Sequence, residues 1–189
     1  MLNIPLFIDS CRRALALPRP AHAVEEILSA IVADPIAIEA TLKVEELKPE
    51  ESARYVFLHQ SPDLTILQVS MASRLLSPPH NHLTWAVIGL YRGCENNVFY
   101  RREGGQLAET HRQNMAAPDV MMLAPDVIHS ISNPLPQASY SIHVYGGSLA
   151  NPARSLWNPF TLKEESFQVS VMQTIEREMM RRNAGLMDS

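Results

Sequence analysis

Between Ala53 and Tyr145 the chain is a succession of short strand-forming segments punctuated by turn residues, and that rhythm leaves few folds open. Arg54-Tyr55-Val56-Phe57-Leu58 gives way at Ser61-Pro62-Asp63 to residues 64–69, and Ser77-Pro78-Pro79 leads into residues 80–90. Arg92-Gly93 and Glu103-Gly104-Gly105 turn the chain into residues 97–102 and 107–112, and residues 120–123, 127–132 and 138–145 follow. About eight such segments predict an antiparallel sandwich or barrel, since short strands bury an apolar face only by pairing with several neighbours.

The flanks carry a different period. Residues 6–17 read as a short helix stopped by Pro18 and Pro20. In residues 21–33, Val24, Ile27, Leu28 and Ile31 recur at helical spacing, with Glu25 and Glu26 on the other side. Asp34-Pro35 is an N-cap followed by a first-turn proline, opening a third helix to about Leu42. Residues 43–52 are a charged linker. Residues 154–157 and 166–169 predict a last hairpin. Residues 171–182 predict a helix with Met172, Ile175 and Met179 on one side and Glu178 four before Arg182. The expected organisation is one structural domain: a helical segment (1–52) packed on a barrel (53–170), then a C-terminal helix and tail (171–189).

Composition supports that size of core and excludes several partners. The 189 residues are 46% hydrophobic and 19% charged, with a formal net charge of −4. No basic run or basic-aromatic stripe suggests nucleic acid. No apolar stretch approaches the roughly 20 residues that cross a bilayer. Asp9, Arg12 and Arg13 interrupt the first apolar segment, which is unlike a signal peptide. Cys11 and Cys94 have no metal-ligand spacing and read as reduced thiols, so a cytoplasmic protein is expected.

The chemistry sits on the strands. In Ser141-Ile142-His143-Val144-Tyr145, alternation puts Ser141, His143 and Tyr145 on one face and Ile142 and Val144 on the other. Three polar groups buried in register are costly unless they bond to one another or serve a site. His80 and His82 share a face by the same spacing, and His129 stands on the strand preceding the Ser-His-Tyr one. Three neutral imidazoles can hold a divalent first-row ion and leave positions open for substrate.

These residues resemble the cupin superfamily. His80 and His82 match the HxH of its first motif, Gly93 falls where that motif's closing glycine belongs, and His129 with Asn133 matches the second. Arg74 replaces the leading glycine, Asp126 replaces a glycine of the second motif, and Ala86 and Val87 hold the places expected of the glutamate. The resemblance implies a mainly β protein: a cupin double-stranded β-helix, or jelly-roll barrel, with N-terminal helices and a C-terminal helix. Without the glutamate every ligand is neutral, and an ion bound there keeps its full charge and favours an anionic partner such as a thiolate.

At Ser141, His143 and Tyr145 the resemblance narrows to the cysteine dioxygenase-like thiol dioxygenases, and to their bacterial 3-mercaptopropionate branch, over roughly residues 53–167. It implies Fe(II) on His80, His82 and His129, and a Ser141–His143–Tyr145 relay beside it. Arg154, nine residues after Tyr145, would hold the substrate carboxylate through its planar fork. Arg54 is one residue out of register with the arginine of the cysteine-specific members. No cysteine stands where it could crosslink Tyr145, and Cys94 lies farther on. The implied partners are O2 and a small thiol carboxylate, with both oxygen atoms added to sulfur to give a sulfinic acid. 3-Mercaptopropionate is favoured and cysteine next; mercaptosuccinate and cysteamine-like thiols stay open. The alternatives are a zinc or manganese cupin acting as hydrolase or isomerase, or a non-catalytic ligand-binding cupin. Homo-oligomers through sheet edges or helices also stay open.

Overall fold

The computed structural model describes residues 1–150 and 153–187. Three helices come first: α1 (Ile4–Ala14), α2 (Pro20–Val32) and α3 (Pro35–Leu42). Asn3 caps α1 by accepting from the Leu6 N–H, and Asp34 caps α3 by accepting from the Ala37 N–H, each at 3.0 Å. Eleven strands follow: β1 (Ala53–Gln60), β2 (Thr65–Met71), β3 (His80–Asn81), β4 (Ala86–Arg92), β5 (Cys94–Glu103), β6 (Gln106–Ala116), β7 (Asp119–Leu123), β8 (Ile128–Ser132), β9 (Ser139–Tyr145), β10 (Ser155–Trp157) and β11 (Glu164–Ser166). Helix α4 (Val169–Met187) ends the described chain.

The strands form two antiparallel sheets, ordered β1-β2-β9-β4-β7 and β11-β10-β3-β8-β5-β6. From β2 to β9 the chain changes sheet at every connection except the β5–β6 hairpin. That winding is the jelly roll, a double-stranded β-helix with helices at both ends.

Alternation sorts the core into two layers. Ile142 and Val144 of β9 pack outward with Val87, Val24, Leu28 and Phe7, which glues α1 and α2 to the first sheet. Tyr145 packs inward with Leu67, Val69, Ile88, Leu123 and Ile131, filling the barrel. Gly89 sets how closely α2 approaches: a Cβ there would lie 2.6 Å from Leu28 Cγ and 2.8 Å from Val32 Cγ1.

Two sequence expectations change. Residues 80–90 are not one strand, because β3 and β4 belong to different sheets and the chain crosses between them, with Leu83 at φ 54°. Helix α4 starts at Val169 instead of residue 171, and the closing hairpin pairs β10 with residues 164–166, not 166–169. The expected barrel boundary at residue 170 therefore falls inside α4, and residues 188–189 of the expected tail lie outside the described residues. Met172 and Ile175 pack on Leu156, as their spacing predicts. Gln173 donates to the Ala53 carbonyl at 3.2 Å and Ser52 donates to Glu176 at 2.8 Å, so α4 is tied to the start of β1. Among the described residues, no helix is long and apolar enough to cross a membrane.

Candidate metal centre

His80 on β3 pairs directly with His129 on β8, and His82 follows where the chain leaves β3. The second sheet thus brings together residues that are far apart in sequence. All three rings are buried, and one ligand atom from each lies within 4.8 Å of the others. The Nε2 atoms of His82 and His129 are 3.1 Å apart. Two nitrogens at ~2.1 Å from a shared ion stand about 3.0 Å apart at right angles and about 3.4 Å apart in a tetrahedron. The His82–His129 spacing fits a shared first-row ion, and no carboxylate or thiolate belongs to the group.

Burial keeps the rings neutral, as ligands must be. It pushes His80 down to about 4, against a smaller opposing effect of the Pro78 carbonyl, and it holds His82 and His129 well below the usual histidine range. Neighbours fix the ring orientations. His80 Nδ1 donates to the Pro78 carbonyl at 3.0 Å, and His129 Nδ1 donates to Asn97 Oδ1 at 3.0 Å, which leaves both Nε2 atoms as acceptors. His82 differs: its Nδ1 accepts from Arg154 Nη2 at 3.3 Å.

Beside the imidazoles, Tyr145 packs against His82 with ring centroids 5.0 Å apart. Its hydroxyl is 2.8 Å from His143 Nδ1, and His143 Nε2 is 2.9 Å from Ser141 Oγ. The sequence-predicted trio is therefore a continuous hydrogen-bonded chain along the inner face of β9. Burial, with a smaller effect of His80, pushes His143 down to about 3, and burial holds the Tyr145 phenol above its ordinary value.

Arg154 is buried, and its side chain reaches the same place. Nε donates to the Asn81 carbonyl at 3.2 Å, Nη1 to the Leu149 carbonyl at 3.0 Å, and the guanidinium lies 3.8 Å from the centroid of the Phe167 ring. Arg54 stands at the cavity rim, where its guanidinium is engaged by Glu51 and lies 3.7 Å from Glu45. Cys94 opens β5 and does not line the cavity. The cavity itself, about 590 Å³, is bordered by His80, His82, His143, Tyr145, Arg154 and Phe167.

Sequence reasoning missed several residues of this region. Asn97 orients His129, Phe167 underlies Arg154, and Asn81 accepts from the Ser155 N–H at 2.8 Å, seating β10 beside the site. Asn97 had a legible cue. On β5 it alternates with Glu95 and Phe99, and all three are buried, although two of them are polar.

No family model matches the sequence. Solved structures with a similar fold include the cupin domain of Schizosaccharomyces pombe Cnp3 (13% identity, TM-score 0.46), aligned over 57% of this chain and 67% of its own. KdgF from a Halomonas species aligns at 15% identity and TM-score 0.42, over 55% of this chain and 85% of its own. A cupin superfamily protein from Desulfitobacterium hafniense aligns at 14% identity and TM-score 0.43, over 56% and 84% respectively.

Proposed function

We propose that this protein is a non-haem Fe(II) thiol dioxygenase. It adds both atoms of O2 to the sulfur of a small thiol carboxylate, with 3-mercaptopropionate favoured over cysteine, and yields a sulfinic acid. One observation carries the reading: the Ser141–His143–Tyr145 chain ends at a phenol packed on His82, one of three converging neutral imidazoles, in a cavity that also holds a buried arginine. A hydrolytic zinc site would leave such a chain without an obvious task.

His80, His82 and His129 are the ligands in this reading. Iron(II) held by them supplies a redox-active cation that favours the thiolate over the thiol and activates O2. The protein's own groups do the rest. Arg154 binds the carboxylate and so fixes where the sulfur lies. Tyr145 stays protonated and offers a hydrogen bond beside the reacting atoms, while His143 holds the phenol and Ser141 holds His143. Leu67, Val69 and Ile131 wall the cavity and limit water.

The test is O2 uptake by anaerobically iron-loaded protein with 3-mercaptopropionate, cysteine and mercaptosuccinate, with sulfinate identified by mass. Uptake with stoichiometric sulfinate from one thiol supports the reading and names the substrate. A fully iron-loaded protein that consumes no O2 with any of them would overturn it.

A further inference from the structure

The cavity reaches well past the imidazoles. Along α4, Val169, Met172, Gln173 and Glu176 all line it. They stand at i, i+3, i+4 and i+7, so one stripe of the helix faces the cavity, and at 1.5 Å per residue that stripe is about 10 Å long. Its first turn lies beside the metal end, because Phe167, two residues before Val169, underlies Arg154. Its far end carries a carboxyl group.

Glu176 is buried. Its Oε2 accepts from Ser52 Oγ at 2.8 Å, and no donor among the described residues bonds Oε1. The sealed-off side-chain atoms that lack a partner belong to Glu95, Asn97 and Ser139, so Oε1 of Glu176 is not sealed off and opens on the cavity that the residue lines. Anchoring α4 does not call for a charge at this place. Ser52 can donate to a neutral amide oxygen as it does to a carboxylate, and Gln173 already ties the helix to the Ala53 carbonyl at 3.2 Å.

The charged side chains that line the cavity are Arg154, Glu176, and Arg54 with Glu51 at the rim, where these two engage each other. Arg177, next to Glu176 on the helix, is exposed and donates to Thr174 Oγ1 at 3.2 Å. Burial pushes Glu176 up to about 7, against smaller effects of Ser52 and Arg177, so a cation brought to it inside the cavity has much to gain. One cavity therefore has a buried cation near its imidazoles and a buried acid two helical turns away.

We infer that Glu176 forms a second subsite that receives an ammonium group, and that the cavity binds thiol carboxylates long enough to carry one there. The thiol and carboxylate end rests on the proposed function, with Arg154 as its partner; Glu176 holds the other end. 3-Mercaptopropionate has no amine, and cysteine carries its amine on the carbon next to the carboxylate, too close to reach Glu176. A short peptide ending in cysteine has the length. Two residues span about 7 Å, and a hydrogen bond of about 3 Å at each end extends the reach to about 13 Å.

The test is calorimetric titration of the full chain loaded with zinc, a redox-silent ion, with 3-mercaptopropionate, glycylcysteine and N-acetylglycylcysteine. Acetylation keeps the thiol and carboxylate and removes the ammonium. Glycylcysteine should bind about tenfold tighter than its acetylated form, as a charge-assisted contact shielded from water warrants. In Glu176→Gln, which keeps an acceptor for Ser52, that preference should disappear. Equal binding of the two peptides by the wild type, or a preference that survives the substitution, would overturn the inference. The wild-type comparison decides alone should the variant fold poorly. Binding of 3-mercaptopropionate but of neither peptide would overturn the second subsite and leave the dioxygenase reading in place. A preference for the free amine, without O2 uptake by iron-loaded protein, would support the subsite and count against the dioxygenase. Binding of none of the three would overturn both.

Discussion

Arg154 Nη2 donates to His82 Nδ1 across 3.3 Å. A neutral imidazole that accepts at Nδ1 carries its proton on Nε2, the atom that faces His129 Nε2 at 3.1 Å. An ion on His82 Nε2 requires that proton to sit on Nδ1, where it can no longer accept from Arg154. An ion held by His82 Nε2 would therefore compete with this contact.

Arg154→Met should separate the two roles of the arginine. It removes a competing donor and a like charge, so zinc affinity measured by chelator competition should rise about tenfold. Binding of 3-mercaptopropionate to the loaded protein should weaken at the same time. Weaker zinc binding in the variant would mean that Arg154 holds His82 in place for the ion.

Tyr145→Phe deletes one hydroxyl at the end of the chain and keeps the ring that packs on His82. Turnover should fall about 10–100-fold, the usual cost of losing a group that supports a metal site, with iron content unchanged. Iron lost along with activity would make Tyr145 structural.

The pH dependence of stability follows from buried groups of opposite kind. In the ion-free chain His80, His82, His129 and His143 all lie below their ordinary 6.5, at about 4 for His80 and about 3 for His143. Depressed groups contribute stability that is complete above 6.5 and is lost as pH falls toward the folded values. Glu95 and Glu176 are raised from 4.5 to about 8 and about 7, mainly by burial, so their contribution is complete below 4.5 and is lost as pH rises through those values. Between 4.5 and 6.5 the four histidines outweigh the two acids. The urea midpoint should therefore climb to a maximum near pH 6.5 and decline above it, and Glu95→Gln should flatten the alkaline side. A midpoint constant from pH 5 to pH 9 would show that these groups titrate normally in the fold.

The barrel was legible because strand alternation has period two and its turns are marked by Pro, Gly and Asp; residues 141–145 alone predict which side chains enter the barrel. The three histidines were legible from their spacing and placement on strands, whereas Arg154 was legible only as a residue type matched to a family pattern. What escaped was set by the meeting of the two sheets. The break after Asn81 depends on a crossing between the sheets that no local pattern marks. Residue types named Arg154 as a candidate but could not show that His82 accepts its hydrogen bond.

Gly146, directly after Tyr145, tests how the end of β9 is held. A Cβ there would lie 2.0 Å from Trp85 Cε2 and 2.1 Å from Nε1, and the Gly146 N–H donates to the Trp85 carbonyl at 3.1 Å. Gly146→Ala must therefore displace the indole or bend the strand end that carries Tyr145. Overpacking of this kind costs ~1–3 kcal/mol, which should appear as a lower Tm. Removing the obstacle should restore part of the loss, so Trp85→Ala combined with Gly146→Ala should be more stable than the sum of the two single changes predicts. Strict additivity in that cycle would mean that the backbone of β9, and not the indole, absorbs the added methyl group.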